Sequence, residues 1–272
     1  MQMLVSGVVP ILFLALILAE SPCNDPLHRL KDKEAKKILA DSPWSKTTIF
    51  LGSTRISALD QEAAAMKGNE GPRGVIDAAR GYGGDKGSGI HGEKELHYTY
   101  TCRLYSALPV RQAYVRMWQT RSKYDNFSPE QQRLFDDRVS PFLRADTSKE
   151  IVVSIELQSN DRRTLMEVGR RLREATRETL RENAGSPTGE IPEQAPYLIS
   201  DHLGRVSLKA YYPPSEDGTG AKLVFPREID GEPVVLPKDK EVKLEFLVPG
   251  SGHKLYIAWK IEDLMCDGQP LL

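Results

Sequence analysis

The segment from Glu150 to Glu182 constrains the fold more than any other part of the chain. It opens with an alternating apolar stretch from Ile151 to Leu157, which predicts a β-strand with one buried face. After Asn160-Asp161 it continues as a predicted helix from Arg162 to Arg181. The apolar face of that helix is expected to consist of Leu165, Val168, Leu172, Ala175, Thr176 and Leu180. A strand that leads directly into a long amphipathic helix predicts a domain in which helices cover a sheet.

Arginine is frequent on the outer side of this helix, which raises the question of a polyanion site. Glutamate interleaves with it, and the pairs Glu167 with Arg171 and Arg170 with Glu174 have the spacing of ion pairs along a helix. We therefore predict a self-neutralised surface that faces solvent. The whole chain has 37 basic and 38 acidic residues and a formal net charge of -1, so no general attraction to nucleic acid is expected.

Two further helices are predicted before this segment. Pro109 opens the first, whose apolar face comprises Val110, Ala113, Tyr114, Met117 and Trp118. The second begins at Ser128, which is a suitable N-cap and has Gln131 as a capping-box partner. Proline interrupts helices, so this second helix is expected to end before Pro141. A short polar turn joins the two helices, which favours an antiparallel pair.

Alternating apolar residues predict strands in much of the remaining chain. A strand is expected at Thr47 to Leu51, another at Glu95 to Leu104, and several between Tyr197 and Lys260. Asp230-Gly231 is typical of a tight hairpin turn. These patterns predict one α+β domain at 44–264. In it a mostly antiparallel sheet has about three helices packed on one face, and the strands after Tyr197 form a meander with one face in water.

Composition sets the other boundaries of the chain. We predict an N-terminal helical segment at 20–43 and a C-terminal tail at 265–272. A flexible insertion is expected at about 60–92, where glycine is frequent and large apolar residues are few. Such a composition cannot bury enough apolar surface to offset the entropy cost of ordering.

The apolar run from Leu4 to Ala19 predicts export. It has about the length of a signal-peptide core and polar sequence follows it at once, so residues 1–19 are interpreted as a signal peptide that is cleaved after Ala19. No lysine or arginine precedes the run, and two alternatives stay open: an uncleaved N-terminal anchor, and lipidation at Cys23. The expected location is periplasmic or extracellular, with membrane contact only through this segment if it is retained.

The chain has three cysteines, an odd number that does not describe a disulfide framework. A bridge between Cys102 and Cys266 stays open. The better interpretation of Cys102 comes from its place in the predicted strand. It alternates with apolar residues at positions 96, 98, 100 and 104, which predicts a small apolar side chain on a buried face.

Sequence motifs give little evidence of a catalytic, cofactor or metal site. The glycine pattern at 87–92 matches that of dinucleotide-binding loops, but a strand follows it in place of the helix whose N-terminus would bind the pyrophosphate. No cofactor and no metal-ligand set is therefore predicted. The weak catalytic candidates are Asp201 and His202, because an acid and a histidine together can serve base chemistry. Neighbours along a strand or turn point apart, so His202 would need acidic partners from elsewhere.

Several short segments of the chain consist of packing and turn residues. They are Ala-Asp-Ser-Pro-Trp at 40–44, Pro-Val-Arg-Gln-Ala at 109–113, Tyr-Leu-Ile-Ser at 197–200, Tyr-Pro-Pro at 212–214, Asp-Gly at 217–218 and Phe-Pro-Arg at 225–227. Together they resemble a family of uncharacterised exported bacterial proteins, over most of the chain after the apolar run. The resemblance implies export and an α+β fold and brings no active site with it.

The sequence thus predicts an exported cell-envelope protein with a non-catalytic binding or structural domain. Its partners are not identified by any motif, and envelope proteins are the expected kind. The alternative is an extracytoplasmic hydrolase whose site is assembled from distant residues near His202.

Overall fold

The computed structural model describes residues 30–53, 95–163, 165–171, 173–174, 196–214, 217–248 and 251–272 of the 272-residue chain. The predicted signal peptide at 1–19, Cys23, the start of the N-terminal helical segment and the predicted insertion at about 60–92 lie outside these residues. The glycine pattern at 87–92 and the helix prediction after residue 174 also lie outside them.

Helices and antiparallel strands together confirm the α+β class. The helices are α1 (Asp32–Ala40), α2 (Leu108–Ser122), α3 (Pro129–Leu143), α4 (the helical residues described between 162 and 174) and the short α5 (Ile261–Leu264). The strands are β1 (Ser45–Ser53), β2 (Glu95–Leu104), β3 (Glu150–Ser159), β4 (Tyr197–Ser200), β5 (Gly204–Ser207), β6 (Ala210–Tyr212), β7 (Ala221–Pro226), β8 (Glu228–Ile229), β9 (Glu232–Pro233), β10 (Glu241–Leu247), β11 (Lys254–Lys260), β12 (Met265–Cys266) and β13 (Gln269–Pro270).

The longer strands are divided between two antiparallel sheets. The first sheet has the described order β1-β2-β3-β7-β6, and the second has the order β11-β10-β4-β5. The sequence patterns predict a single sheet, and the structure differs because alternation shows that a strand has a buried face but does not show which strands pair. The predicted turn at Asp230-Gly231 is present: both residues have positive φ, and they join β8 to β9. Residues 265–272, expected to be a tail, contain the paired strands β12 and β13.

The main core contains side chains from both sheets. Tyr100, Cys102 and Leu104 of β2 alternate with residues on the opposite face, and all three are buried in one cluster with Phe246 and Ile257 of the second sheet. This arrangement confirms the prediction that Cys102 lies on a buried face. Cys102 and Cys266 are not joined by a disulfide.

The other face of the first sheet is covered by α1 and α2. Arg103 projects from β2 to this side, where its guanidinium lies 2.9 Å from the Glu156 carboxylate. The same guanidinium donates to the Leu39 carbonyl at the end of α1, at 2.6 Å, and to the Tyr114 hydroxyl on α2, at 3.1 Å. A buried charge needs such partners, so this one arginine holds both helices to the sheet.

Helix α3 continues past Pro141, so the prediction that it ends before this proline is wrong. The predicted capping box is present at its other end, between Ser128 and Gln131. The physical reason for the longer helix lies in α2. Buried Arg111 donates from one nitrogen to the carbonyls of Phe142, Leu143 and Ala145, at 3.0–3.2 Å. These bonds satisfy carbonyls that a helix end would otherwise leave without partners.

Helix α4 packs near the core between the sheets. Val168 is buried in the same cluster as Tyr100 and Phe246. The solvent side of α4 has the predicted ion pairs, with Arg170 2.8 Å from Glu174 and Arg171 beside Glu167. The prediction placed all three longer helices on one face of a sheet, and the structure places α4 on the opposite face from α2.

Candidate functional site

An apolar cavity of about 260 Å³ lies where α4 meets both sheets. Tyr100 of β2 and Leu157 of β3 contribute to one wall. Leu165 and Val168 of α4 form another, and Phe246 of β10 contributes from the second sheet. Cavities with mostly apolar walls and a few polar groups are typical of small-molecule sites in proteins.

Two glycines shape this cavity in opposite ways. Gly169 of α4 lies one turn from Leu165 and has no side chain, and a Cβ placed there would have Arg173 as its nearest neighbour, at 3.8 Å. Gly220, just before β7, has a φ of +76°, and a Cβ there would lie 2.4 Å from the Ile155 carbonyl oxygen. Gly169 therefore leaves space open, whereas Gly220 lets the backbone approach β3 closely.

The hydroxyl of Tyr100, a residue of the cavity wall, contacts two residues outside the described lining. It lies 2.9 Å from His253 Nδ1 and 3.4 Å from Ser251 Oγ. Both partners belong to the connection between β10 and β11. The Phe50 ring stacks on the His253 imidazole, with centroids 4.3 Å apart and an interplanar angle of 7°, and the Tyr98 ring contacts it at 4.8 Å. The imidazole is therefore held between aromatic rings.

Burial keeps this hydrogen-bonded pair uncharged near neutral pH. It raises the pKa of the Tyr100 phenol to about 12. It lowers the pKa of the His253 imidazole below its ordinary value of 6.5. In both cases the apolar surroundings disfavour the charged form of the group.

The one ionisable carboxylate among the described lining residues belongs to Glu156. That carboxylate pairs with Arg103, whose other contacts lie on α1 and α2. The pair is therefore part of the attachment of those helices. The described lining residues are mostly apolar, an arrangement suited to binding a mostly apolar molecule.

The weak catalytic candidates Asp201 and His202 lie in the turn between β4 and β5, and their side chains go to different partners. The Asp201 carboxylate accepts from the backbone N–H groups of Lys240 at 2.7 Å and Glu241 at 3.3 Å. The bond from Lys240 is the main cause that lowers the pKa of Asp201. His202 Nδ1 lies 3.1 Å from the buried Asp239 carboxylate instead.

His202, Asp239 and Ser200 have the residue types of a catalytic triad without its geometry. Ser200 Oγ and Asp239 both lie near the same ring nitrogen, Nδ1, at 3.2 and 3.1 Å. In a triad the nucleophile and the acid occupy opposite ring nitrogens. Here the second nitrogen, Nε2, lies 2.9 Å from the Pro233 carbonyl, and buried Ser200 accepts from the Leu203 N–H at 3.2 Å.

We call Ser200, Asp201, His202 and Asp239 the turn cluster. Its hydrogen bonds connect the β4–β5 turn to the chain between β9 and β10, so its geometry supports a structural role. Sequence reasoning did not identify Asp239, which lies 37 residues from His202. It also did not predict the hydrogen bond between His253 and Tyr100, because the two residues lie 153 positions apart along the chain. No local pattern signals either pairing.

Possible metal ligands, membrane-spanning helices and known relatives also bear on the identity of the site. Within the described ranges, no group of three or more His, Cys, Asp or Glu side chains could hold a metal ion. In the same part of the chain, every helix is too short or too polar to cross a membrane. Comparisons with known protein families, with curated proteins and with solved structures found no match to this chain.

Proposed function

We propose that this chain is an exported, non-catalytic binding protein whose cavity between α4 and the two sheets takes a small, mostly apolar molecule. The observation that carries the proposal is the cavity itself, with Tyr100, Leu157, Val168 and Phe246 around it. The walls come from separate elements that the core already holds in place. Such preorganisation lowers the entropy cost of binding.

The structure offers less support for the alternative, a hydrolase assembled near His202. A general base needs a nitrogen that can reach a proton on the substrate or nucleophile. Nδ1 of His202 faces Asp239 and Ser200, and Nε2 faces the Pro233 carbonyl. No observation at the turn cluster favours catalysis over the role of holding two loops together.

Export is the second part of the proposal, and it rests on the apolar run from Leu4 to Ala19 and on the family resemblance. Fractionation of cells followed by N-terminal sequencing tests it. Export with cleavage predicts mature protein outside the cytosol that begins at Glu20. Mature protein that retains Met1 in the membrane fraction would indicate an anchor, a lipid-modified Cys23 would indicate a lipoprotein, and cytosolic protein that retains Met1 would contradict export.

Binding is tested with N-phenyl-1-naphthylamine, an uncharged probe that fluoresces in apolar surroundings. We expect saturable fluorescence with the purified protein. The substitution Gly169→Leu should abolish it, because a branched side chain would occupy open space one helical turn from Leu165. The matched control Gly169→Ala should bind as the native chain does, and both substitutions should favour the helix by up to about 1 kcal/mol.

Unfolding of the two glycine variants distinguishes loss of binding through a filled cavity from loss of binding through a damaged fold. Each variant is also unfolded with urea, and midpoints at least as high as the native one are expected. Equal probe binding by the native chain and by Gly169→Leu would overturn the proposed site. Failure of the native chain to bind the probe at all would count equally against it.

A further inference from the structure

We infer that the molecule bound in this cavity is an anionic amphiphile. Its apolar chain lies in the cavity, and its anionic group binds the Arg173 guanidinium, with the Tyr211 hydroxyl as a second donor. This inference rests on the proposed binding function and narrows it to a chemical class of ligand. Three observations support it: the position of Arg173 at the cavity wall, the ion pairs of the other arginines on α4, and the buried hydroxyl of Tyr211.

Arg173 places a cation at the wall of the cavity. It lies one helical turn beyond Gly169 on α4, and Gly169 is a lining residue. Its Nη1 lies 3.8 Å from the position that a Cβ on Gly169 would take. Arg173 is exposed, so an anionic group that pairs with it keeps part of its hydration while the apolar chain is buried. This arrangement avoids the cost of burying an unpaired charge.

The acids of α4 pair with other arginines. Arg170 pairs with Glu167 and Glu174, and Arg171 pairs with Glu167. Partners on a helix lie three or four positions away, and at those distances from Arg173 the sequence has a glycine, a threonine and two arginines. Within the described residues, no carboxylate forms an ion pair with Arg173. A ligand anion would supply that partner.

Tyr211 brings a second donor to the same face of the first sheet. It pairs with Leu223 across β6 and β7, and Leu223 lies two residues from Ala221, which lines the cavity. Alternate residues of a strand share a face, as do residues directly opposite on paired strands. The Tyr211 hydroxyl is buried and has no hydrogen-bond partner among the described residues. The large majority of buried hydroxyls are paired, so this one is suited to donate to a ligand oxygen.

Tyr211 and Arg173 also interact electrostatically. Burial raises the pKa of the Tyr211 phenol to about 12, and the charge of Arg173 opposes that shift. The phenol is therefore protonated near neutral pH and acts as a hydrogen-bond donor.

Glu156, the acid among the described lining residues, does not oppose an anion in the cavity. Side chains alternate along β3, so its carboxylate projects to the face opposite that of Ile155 and Leu157. There it pairs with Arg103. Its negative charge is thus neutralised on the side of the sheet that α1 and α2 cover.

The test compares three eight-carbon ligands that displace N-phenyl-1-naphthylamine from the purified protein near neutral pH: octanoate, 1-octanol and octylammonium. We expect octanoate to bind about two- to tenfold more tightly than 1-octanol, the ratio that a partly exposed ion pair with one added hydrogen bond provides. Octylammonium should bind most weakly, because Arg173 repels it. The advantage of octanoate should shrink in ~0.5 M NaCl, since salt screens exposed charges.

Three variants locate the preference. Arg173→Gln should weaken octanoate binding by about two- to tenfold and leave 1-octanol binding unchanged. The matched control Arg171→Gln removes the same charge from the same helix, but from a guanidinium that is paired with Glu167, and it should keep the preference. Tyr211→Phe should weaken octanoate binding by about two- to tenfold. Its urea midpoint should not fall, because the lost hydroxyl has no partner in the described protein.

Equal binding of octanoate by the native chain and by Arg173→Gln would overturn the ligand class and leave the binding site intact. Displacement in which 1-octanol or octylammonium binds tightest would do the same. A urea midpoint of Tyr211→Phe well below the native one would show that the hydroxyl already has a partner, and would overturn its role as a second donor. Absence of probe binding that Gly169→Leu can block would overturn the proposed function, and this inference with it.

Discussion

Two histidine side chains in the described part of the chain, those of His202 and His253, present opposite cases. His202 has a serine and an aspartate within hydrogen-bond distance, which are residue types that suggest catalysis. His253 has a tyrosine, a serine and two aromatic contacts, which suggest packing. The geometry reverses that expectation. At His202 both ring nitrogens are directed at protein oxygens, whereas His253 contacts Tyr100, a residue of the cavity wall.

The difference shows that residue types alone do not identify a site. A binding or catalytic group needs hydrogen-bonding capacity that the protein does not use itself, together with space for a ligand beside it. In the turn cluster, the hydrogen bonds of the side chains connect two loops. The Tyr100 residue, which His253 contacts, lies in the wall of the cavity. The following predictions test each side of this contrast, beginning with the wall of the cavity.

Gly220→Ala should have the largest effect on stability. The added Cβ would lie 2.4 Å from the Ile155 carbonyl oxygen, and φ there is +76°, so backbone must move. We expect a loss of about 3 kcal/mol in the free energy of unfolding, measured by urea denaturation. The matched control Gly218→Ala has a φ of +74° without any close neighbour, and it should lose only about 1 kcal/mol. Equal losses would show that the contact with β3 is not tight.

Asp239→Ala tests the structural role of the turn cluster. It removes a buried carboxylate that accepts from the Leu236 N–H at 2.8 Å and lies 3.1 Å from His202. The free energy of unfolding should fall by about 1–3 kcal/mol, because buried donors lose their partner. Binding of N-phenyl-1-naphthylamine should be unchanged.

The control for this variant is Glu228→Ala, an exposed acid on β8, close to Pro233 in the same part of the fold. It should change stability by less than about 0.5 kcal/mol. If Asp239→Ala kept native stability but lost a hydrolytic activity of the protein, the turn cluster would have to be regarded as a catalytic site after all.

Sequence patterns predicted local structure well because the physics behind them is local. Alternation in β2 correctly placed Cys102 and Tyr100 on a buried face, and the capping box at Ser128 correctly placed the start of α3. The helix past Pro141 could not be predicted, because Arg111, which satisfies its last carbonyls, lies on another helix. Proline does disfavour the interior of a helix. Here the hydrogen bonds from Arg111 on α2 outweigh that effect.

The candidate site depends on contacts that no sequence pattern encodes. The cavity exists because α4 packs near β10 and because the strands divide between two sheets, and both facts are matters of strand pairing. No sequence pattern singles out His253. Only the fold places its imidazole against Tyr100, Phe50 and Tyr98. In the sequence, His202 has Asp201 as its acidic neighbour. In the structure, its imidazole contacts the carboxylate of Asp239 instead.

The pH dependence of stability gives the smallest effect and tests the apolar surroundings of His253. Burial lowers the pKa of this imidazole below 6.5 in the folded protein, while the unfolded chain keeps the ordinary value. Below pH 6.5 the unfolded chain therefore takes up a proton that the folded protein takes up less readily, which favours unfolding. The stability contributed by neutral His253 is present above this pH and is lost as the pH falls through the lowered pKa.

His253→Gln isolates this contribution, because its amide oxygen can still accept from Tyr100 and cannot titrate. Urea denaturation at about pH 7.5 and about pH 5.5 should show a smaller loss of stability on acidification for the variant than for the native chain. Parallel losses in the two proteins would mean that His253 is as accessible to protons in the folded state as in the unfolded one. In that case the surroundings of the imidazole would not exclude water, and the contrast with the turn cluster would rest on the cavity alone.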